Sequence, residues 1–365
     1  MTPPEAKPLL LLNPGPVTLS ARVRAAMGGP DLCHREPEFA ELQRSIRERL
    51  LRVYDLDPER YAAILLTGSG TSAMEAMVAS LGPAHGKMLV IENGVYGERL
   101  SKIAAIHGIA SVAMTLEWGE AIDNARLRAL LDEHQDVSHL ALVHHETTTG
   151  RLNAIEPLAR LCAERRVSLL VDAVSSFGAE ELDFEGWTIA ACAATANKCL
   201  HGVPGTSFVI ARRDALDDDD TPQRTLYLDL ATYCREQDKG GTPFTQSVQT
   251  FYALAEALAE FEEQGGWRAR HARYQALAEQ VRSGLRALGV RPLLPEGASS
   301  VVLNGYHLPA NVTYERLHDH LKARGFVIYS GQGSYAKSIF RISTMGEVTG
   351  ADMQRLVAAV GELLR

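Results

Sequence analysis

The sequence has few cysteines, no excess of positive charge and no long apolar run, and each shortage excludes a class of protein. The five cysteines form no CxxC pair and leave one over, which is typical of a reducing compartment without structural disulfides or zinc. With 37 basic and 45 acidic side chains the formal net charge is -8, so the chain has no general attraction for nucleic acid or an anionic membrane. The apolar stretch at 8–12 is too short for a signal-peptide core or a membrane span. We therefore expect a cytoplasmic protein with neither nucleic acid nor membrane as a partner.

From about residue 62 to 210, short apolar runs alternate with helical patterns. Near-continuous apolar strands with helices between them are typical of a mostly parallel sheet that is covered on both faces. The pattern therefore predicts an α/β fold. The predicted strands are 62–68, 87–93, 139–146 and 167–174, and the predicted helices are 71–82, 96–108 and 156–166.

The organisation changes after about residue 245. Two helical patterns, 247–264 and 267–289, are separated by Gly265 and Gly266, which predicts a bend between them. We predict a large domain over 1–264, whose N-terminal segment reaches the active site or the small domain, and a smaller α+β domain over 265–365. The acidic run at 217–220 is interpreted as a solvated loop. Beyond the bend, strands are predicted at 299–308, 326–331 and 338–344, and helices at 313–325 and from about 350.

Polar residues follow several predicted strands, where open parallel sheets bind their ligands. The stretch "TGSGT" at 67–71 leads straight into a helix. Its glycines let the backbone approach an anion, and the helix N-terminus favours a phosphate. It lacks the spacing of a nucleotide P-loop or a dinucleotide fold. An ordinary glycine turn with a Ser or Thr cap explains the stretch about equally well.

Asp172 ends another predicted strand, where a carboxylate caps the following turn or holds a cationic ring nitrogen. The three hydroxyls of Thr147 to Thr149 follow a third strand. His144 and His145 precede them, but adjacent strand residues point to opposite faces and do not readily share one ion. We therefore expect no metal site.

Lys198 ends a run of small apolar residues, "AACAATAN" at 190–197. A lysine that enters an interior must be paired, neutralised or used covalently. Lys198 follows Asp172 by 26 residues, which leaves room for one more helix and strand. A phosphate cradle, a carboxylate and a lysine on one edge of a sheet match the needs of pyridoxal 5'-phosphate (PLP). The sequence therefore predicts a PLP site.

The chain resembles class V of the fold-type I PLP-dependent aminotransferases over nearly its whole length. The resemblance implies a large domain with a mostly parallel seven-stranded sheet and a smaller C-terminal α+β domain. It is carried by "NPGPVTLSARVRAAM" at 13–27, "TGSGTSAMEA" at 67–76, "ENGVYGERL" at 92–100, "HHETTTG" at 144–150, "VDAVSSFG" at 171–178, "ATANKCLHGVPG" at 194–205 and "FRIST" at 340–344.

The resemblance also implies a role for individual residues. Lys198 matches the lysine that bonds the cofactor aldehyde, and Asp172 matches the partner of the pyridinium nitrogen. Arg341 matches the arginine that receives the acidic group of the substrate. The other cofactor-binding matches are Ser69, Gly70 and Thr71 for the phosphate, Tyr96 for stacking on the ring, Thr147 near its O3', Asn197 beside the lysine, and Thr245 for the phosphate in the other subunit of a homodimer.

Within class V, the blocks around 146, 172 and 198 are most similar to those of the transaminases that move an amino group from 2-aminoethylphosphonate to pyruvate. The stretch at 33–39 departs from some bacterial members. His34 and Arg35 in that stretch are weaker candidates for a second anion contact, and a surface loop explains them somewhat better.

Other functions stay open at this point. An alanine:glyoxylate or serine:glyoxylate aminotransferase and a PLP-dependent lyase need the same lysine and carboxylate. The non-enzymatic alternative is a phosphate-binding protein in which Lys198 has a structural role. A cysteine desulfurase is disfavoured, because no cysteine follows Cys234 and Asn197 stands where those enzymes usually have histidine.

Overall fold

The computed structural model describes residues 9–216 and 222–365. The acidic run at 217–220, predicted as a solvated loop, lies outside these residues. In the described part of the chain the strands are β1 Leu10–Leu11, β2 Tyr61–Gly68, β3 Lys87–Glu92, β4 Ser111–Thr115, β5 Val137–Val143, β6 His145–Glu146, β7 Arg151–Leu152, β8 Ser168–Asp172, β9 Ile189–Thr195, β10 Gly205–Arg212, β11 Leu303–His307, β12 Phe326–Val327, β13 Tyr329–Ser330 and β14 Ile339–Ser343.

Helices connect most of these strands and pack against the sheets that the strands form. A short 3-10 helix, Gly333–Tyr335, precedes the last strand. The α-helices are α1 Ala21–Ala26, α2 Pro37–Arg52, α3 Gly70–Leu81, α4 Val95–Ile106, α5 Asn124–Glu133, α6 Glu156–Arg165, α7 Arg213–Leu216, α8 Leu230–Asp238, α9 Val248–Glu263, α10 Gly266–Ala287, α11 Tyr314–Lys322 and α12 Gly350–Leu364.

Seven strands form the central sheet in the order β2, β10, β9, β8, β5, β3, β4. Strand β10 runs antiparallel to β2 and β9, and the other pairs are parallel. The mostly parallel seven-stranded sheet expected from the resemblance is therefore confirmed. Because the carboxyl ends of parallel strands share one edge, the ends of β2, β5, β8 and β9 meet there.

Alternate residues of the central strands enter two separate hydrophobic clusters. In β3, Leu89 and Ile91 belong to the cluster on one face, while Met88 and Val90 belong to the cluster on the other face. This alternation follows from the two-residue period of a strand. Both faces of the sheet are thus buried, which explains why β3 is apolar at every position from 88 to 91.

The C-terminal part forms a second sheet in the order β11, β14, β13. Helices α10, α11 and α12 cover it through an apolar cluster that includes Leu285, Leu321 and Leu356. Gly265 and Gly266 have φ of +93° and +72°, so they separate α9 from α10 in the left-handed region that glycine adopts freely. The helix break predicted at these glycines is confirmed, whereas the division into domains at 264/265 stays a prediction.

Some predicted elements differ in the structure. The predicted strand 139–146 ends at Val143, and the residues after His144 form the short strand β6, which pairs with β7. The predicted strand 326–331 is split in two, because β12 pairs with β1 while β13 pairs with β14. The space between Asp172 and Lys198 holds β9 but no helix, since the chain from 174 to 180 forms consecutive turns.

None of the helices in the two described ranges is both long enough and apolar enough to cross a bilayer.

Candidate active site

Lys198 lies just beyond the carboxyl end of β9 and is 8% exposed. Its Nζ donates a hydrogen bond of 3.0 Å to Oγ of Ser175. Burial lowers the pKa of Lys198 to about 8; the positive charges of Arg341 and Arg99 lower it further, and the negative charge of Asp172 opposes the shift. Near neutral pH this amine therefore loses its proton far more readily than a surface lysine.

Asp172 ends the neighbouring strand β8 and is buried. Its Oδ1 accepts a hydrogen bond of 2.9 Å from the N–H of Val174. Burial raises the pKa of this carboxyl group to about 7, and the positive charges of Lys198 and Arg99 reduce the shift. The carboxylate is thus costly to keep ionised until a cation binds beside it.

The glycine turn at 67–71 packs against Val174, two residues after Asp172. A Cβ atom on Gly70 would lie 2.6 Å from Cγ1 of Val174, so only glycine allows this close approach. Ser69 is the N-cap of α3, and its side chain makes no capping hydrogen bond to the helix. The N-terminus of a twelve-residue helix therefore lies next to Val174, two residues after Asp172, without a side chain to neutralise its positive dipole.

Tyr96 lies in the first turn of α4, after the carboxyl end of β3. The backbone N–H groups of Tyr96 and Gly97 donate to Oε2 of Glu146 at 3.1 and 3.3 Å. Glu146 is fully buried, and its Oε1 accepts from the backbone and side chain of Thr148. The carboxylate of Glu146 therefore caps α4 and fixes the position of Tyr96.

Arg341 lies on β14 and is buried. Its Nε donates to the carbonyl of Ser330 at 2.9 Å, and its Nη1 donates to the carbonyl of Thr147 at 2.8 Å. No ion pair among residues 9–216 and 222–365 includes Arg341, and its Nη2 donates no hydrogen bond there. Nη1 also makes a longer contact of 3.4 Å with Oε1 of Gln332. Nη2 is therefore the guanidinium nitrogen that is open to an anion.

The segment before α1 also touches Lys198. Gly15 has a φ of +125°, and a Cβ atom there would lie 3.1 Å from Cε of Lys198. Leu10 and Leu11 on the same segment pair with β12 in a separate two-stranded sheet, and the carbonyl of Leu12 accepts a hydrogen bond from the N–H of Ser343 on β14. One stretch of six residues therefore contacts both the lysine and the C-terminal sheet.

The structure brings Lys198, Asp172, Gly70, Tyr96 and Arg341 together. Thr71 belongs to the same group, because its hydroxyl accepts a hydrogen bond of 3.0 Å from Nη1 of Arg99, whose guanidinium lies 4.5 Å from the centre of the Tyr96 ring. Thr147 follows β6, and its Oγ1 is buried with no hydrogen-bond partner in the part of the chain described.

Other predicted site residues are less directly connected. The Oδ1 of Asn197 accepts from Thr195 Oγ1 at 2.8 Å, beside the lysine. Thr245 is exposed, in a loop whose next residue, Gln246, accepts a hydrogen bond from Thr67. Neither His34 nor Arg35, just before α2, has a hydrogen bond or ion pair to Lys198, Asp172 or Arg341 within the described ranges. Their predicted role as anion contacts stays a prediction.

Comparison with known proteins decides the family. The sequence model of the family "Aminotransferase class-V" matches residues 25–356. The chain is a class V aminotransferase. The resemblance seen in the sequence is therefore confirmed.

This class V aminotransferase is similar to the 2-aminoethylphosphonate--pyruvate transaminase of Aeromonas hydrophila, with 40% identity over 98% of this chain and 95% of that protein. It is 39% identical to the protein of the same name from Syntrophobacter fumaroxidans, over 98% of this chain and 96% of the relative. Among solved structures, an alanine--glyoxylate aminotransferase from Nostoc superposes with a TM-score of 0.93 at 27% identity, covering 100% of this chain and 97% of that one. The predicted fold class is confirmed.

Four residues of the aminotransferase site escaped the sequence reasoning. Gly15, Glu146 and Ser175 lie inside motifs that carry the resemblance, yet the sequence assigned them no role. Arg99 follows Tyr96 by three residues on a predicted helix, a spacing that places two side chains on one face. That spacing was the available signal for Arg99.

The two adjacent histidines of the aminotransferase both have hydrogen-bond partners. Nδ1 of His144 lies 3.0 Å from Oγ of Ser176, and Nδ1 of His145 lies 3.0 Å from the carbonyl oxygen of Ser175. Burial lowers the pKa of each imidazole to about 4, so both are neutral. Across the two described ranges, no three His, Cys, Asp or Glu side chains are grouped as metal ligands would be.

Replacing Asp172 by asparagine is expected to stabilise the ligand-free aminotransferase at alkaline pH. Because the folded-state pKa of Asp172 is raised to about 7, its contribution to stability is complete below the unfolded pKa and is lost as the pH rises through 7. The free energy of unfolding of the variant, relative to that of the wild type, should rise by about 2–4 kcal/mol between pH 5 and pH 8. Urea unfolding at both pH values measures the difference, and an equal difference at both would contradict the raised pKa.

Proposed function

We propose that this class V aminotransferase binds PLP and moves the amino group of 2-aminoethylphosphonate to pyruvate, giving phosphonoacetaldehyde and L-alanine. The observation that carries the proposal is the buried amine of Lys198, placed near a carboxylate and near an arginine without an acidic partner. The substrate pair is supported by relatives of that printed name, which are 39–40% identical over nearly the whole chain.

The residues present fit the cofactor. PLP needs an amine, a counter-charge for its ring nitrogen, a partner for its ring hydroxyl and an anion site. Lys198 supplies the amine and Asp172 the counter-charge, while the buried Oγ1 of Thr147 lacks a partner within the described residues. The free N-terminus of α3 at Ser69, Gly70 and Thr71 would hold the phosphate, with Tyr96 against the ring and Asn197 beside the lysine.

When bound, the cofactor supplies an aldehyde that takes up the substrate amine and a ring that accepts the electrons of the broken C–H bond. The chain supplies the proton transfers. Nζ of Lys198, whose pKa lies near 8, accepts the proton from the substrate carbon and returns a proton to the cofactor side. Oγ of Ser175 lies 3.0 Å from that nitrogen and orients it. Asp172 keeps the ring nitrogen protonated.

Arg341 receives the acidic group of each substrate in turn. Its Nη2 is open, because Nε donates to Ser330 and Nη1 donates to Thr147 and, at 3.4 Å, to Gln332. When the long contact to Gln332 is exchanged for the substrate, Nη1 and Nη2 together bind two oxygens of a phosphonate or both oxygens of a carboxylate. One site can therefore accept 2-aminoethylphosphonate in the first half-reaction and pyruvate in the second.

The proposal includes a homodimer. Thr245 is exposed, which suits a residue that binds the phosphate in the other subunit, as the resemblance implies. The cytoplasmic location inferred from the cysteines also stays a prediction.

The visible absorption spectrum of the PLP-loaded protein tests the function. Adding 2-aminoethylphosphonate without a keto acid should remove the absorption band of the lysine-bound cofactor, and pyruvate should restore it. Borohydride reduction followed by peptide mapping should locate the cofactor on Lys198. A protein that binds no PLP would end the proposal.

The outcome also separates the competing enzymes. Loss of the band only with L-alanine or L-serine, and recovery with glyoxylate, would favour the glyoxylate aminotransferases. Release of free ammonia in place of L-alanine would favour a lyase. A glyoxylate aminotransferase is the second candidate function, because the similar Nostoc structure carries the name of an alanine--glyoxylate aminotransferase.

Replacing Arg341 by lysine is expected to raise KM for both 2-aminoethylphosphonate and pyruvate, by about 10- to 100-fold, because a paired charge-assisted contact is lost. Steady-state kinetics with each substrate varied measure the effect. Arg282→Lys is the matched control, since Nη2 of Arg282 donates to Asn304 in the same C-terminal part. This variant should leave both KM values unchanged. Unchanged KM values in Arg341→Lys would remove the assignment.

A further inference from the structure

Arg99 joins two parts of the site that the sequence treats separately. It lies on α4, one turn after Tyr96, and is half-buried. Its Nη1 donates to the hydroxyl of Thr71 at 3.0 Å, and its guanidinium stacks over the Tyr96 ring at 4.5 Å. One side chain thus contacts both the glycine turn and the aromatic ring.

The charge of Arg99 has no acidic partner. No ion pair within residues 9–216 and 222–365 includes it, whereas Arg213, which is similarly placed between protein and solvent, pairs with Asp238 at 2.7 Å. Arg224 also lacks a carboxylate, but it donates to three backbone carbonyls. The hydrogen bond of Arg99 goes to a neutral hydroxyl instead. A partly desolvated cation in this state is stabilised when an anion binds beside it.

The glycine turn itself contains no cation. Its residues at 67–71 are Thr, Gly, Ser, Gly and Thr, and a helix N-terminus supplies only about half of a positive charge. A phosphate monoester carries between one and two negative charges at neutral pH. The anion expected at this turn therefore exceeds the charge that the turn can supply.

We infer that Arg99 binds the phosphate group of the cofactor. The inference rests on the proposed function, because it takes the ligand of the glycine turn to be PLP. The guanidinium supplies the missing positive charge and holds Thr71 in place by the hydrogen bond between them. Its stacking on Tyr96 holds the guanidinium beside the glycine turn.

Cofactor binding with and without the phosphate tests this role. We would measure the dissociation constants of PLP and of pyridoxal, which lacks the phosphate, by spectroscopic titration of ligand-free wild type, Arg99→Met and Arg99→Lys. Arg99→Met should weaken PLP binding by about 10- to 100-fold, as expected for a hydrogen bond to a charged group. Pyridoxal binding should change by less than about threefold, because no charged group is lost from its contacts. Arg99→Lys keeps the charge and should fall between wild type and Arg99→Met.

Arg268→Met is the matched control. Arg268 is exposed and its guanidinium stacks over Trp267 at 4.7 Å, so this variant removes a similar cation–π contact away from the glycine turn. Both dissociation constants should stay at the wild-type value in this control.

Each other outcome has a separate meaning. Equal weakening of PLP and pyridoxal in the Arg99 variants would show that Arg99 acts only through Tyr96, and would overturn the phosphate contact. Unchanged PLP binding in a folded Arg99→Met, or PLP binding that is weaker in Arg99→Lys than in Arg99→Met, would overturn it as well, while the proposed function would stand. If the wild-type protein does not bind PLP at Lys198, the proposed function itself is overturned.

Discussion

Lys198→Ala is expected to lose transamination almost completely, with a fall in kcat of about 10⁴-fold, the upper range for removal of a positioned acid–base group. The physical reason is that the proposed function makes Lys198 the acid–base group of the reaction and that burial lowers its pKa to about 8. The protein should still fold, because removing a buried amine leaves only the hydroxyl of Ser175 without its donor.

The measurement is the rate of amino transfer from 2-aminoethylphosphonate, together with PLP binding to the same variant. PLP should still bind, since the phosphate contacts remain, but borohydride should no longer attach it to the chain. Lys87→Ala is the control, because Lys87 pairs with Asp136 at 3.1 Å on the surface. Partial recovery of Lys198→Ala by a small added amine would separate a chemical role from a structural one. Wild-type turnover in Lys198→Ala would contradict the mechanism.

Asp172→Asn is expected to reduce kcat by on the order of 100- to 1,000-fold, the loss typical when one preorganised electrostatic contact to the reacting system is removed. The asparagine oxygen can still accept the hydrogen bond that Oδ1 now receives from Val174, so the local backbone should keep its shape. The ring nitrogen of the cofactor, however, loses its negative partner.

Asp229→Asn is the matched control for this charge. Asp229 is also largely buried and accepts a backbone hydrogen bond from Thr232 at 3.0 Å, as the N-cap of α8. It should cost some stability while leaving kcat unchanged. The visible spectrum of PLP-loaded Asp172→Asn should shift in its pH dependence, and a wild-type spectrum together with wild-type kcat would refute the role of Asp172.

The parts of the fold with a strong period could be predicted from the sequence. Strand β3 is apolar at every position from 88 to 91 because both faces are buried, and the break between helices α9 and α10 falls at Gly265 and Gly266. Two-residue strands such as β1 and β12 have no period to detect, and they pair across more than 300 residues. The turns between Asp172 and β9 likewise arise from close packing, in which Gly178 adopts a φ of +84°.

The candidate site likewise contains residues that could be predicted from the sequence and residues that could not. Lys198 and Asp172 could be predicted because charged residues at the ends of apolar strands are costly unless they are used. Gly15 touches the site through a contact between distant segments, so no local pattern around it indicates a role. Arg341 was predicted through the resemblance, but the closure of its Nε by Ser330 depends on the strand pairing of β13 with β14.

The pairing of β1 with β12 has a consequence for biosynthesis. The segment that packs Gly15 against Lys198 is made early, but it docks on Phe326 and Val327, and its Leu12 carbonyl accepts from the N–H of Ser343. Since a chain emerges from the ribosome in order, these contacts cannot form until almost all of it has been synthesised. A partly made chain therefore has Lys198 without the segment that packs against it, and this part of the candidate site is completed as one of the last events of folding.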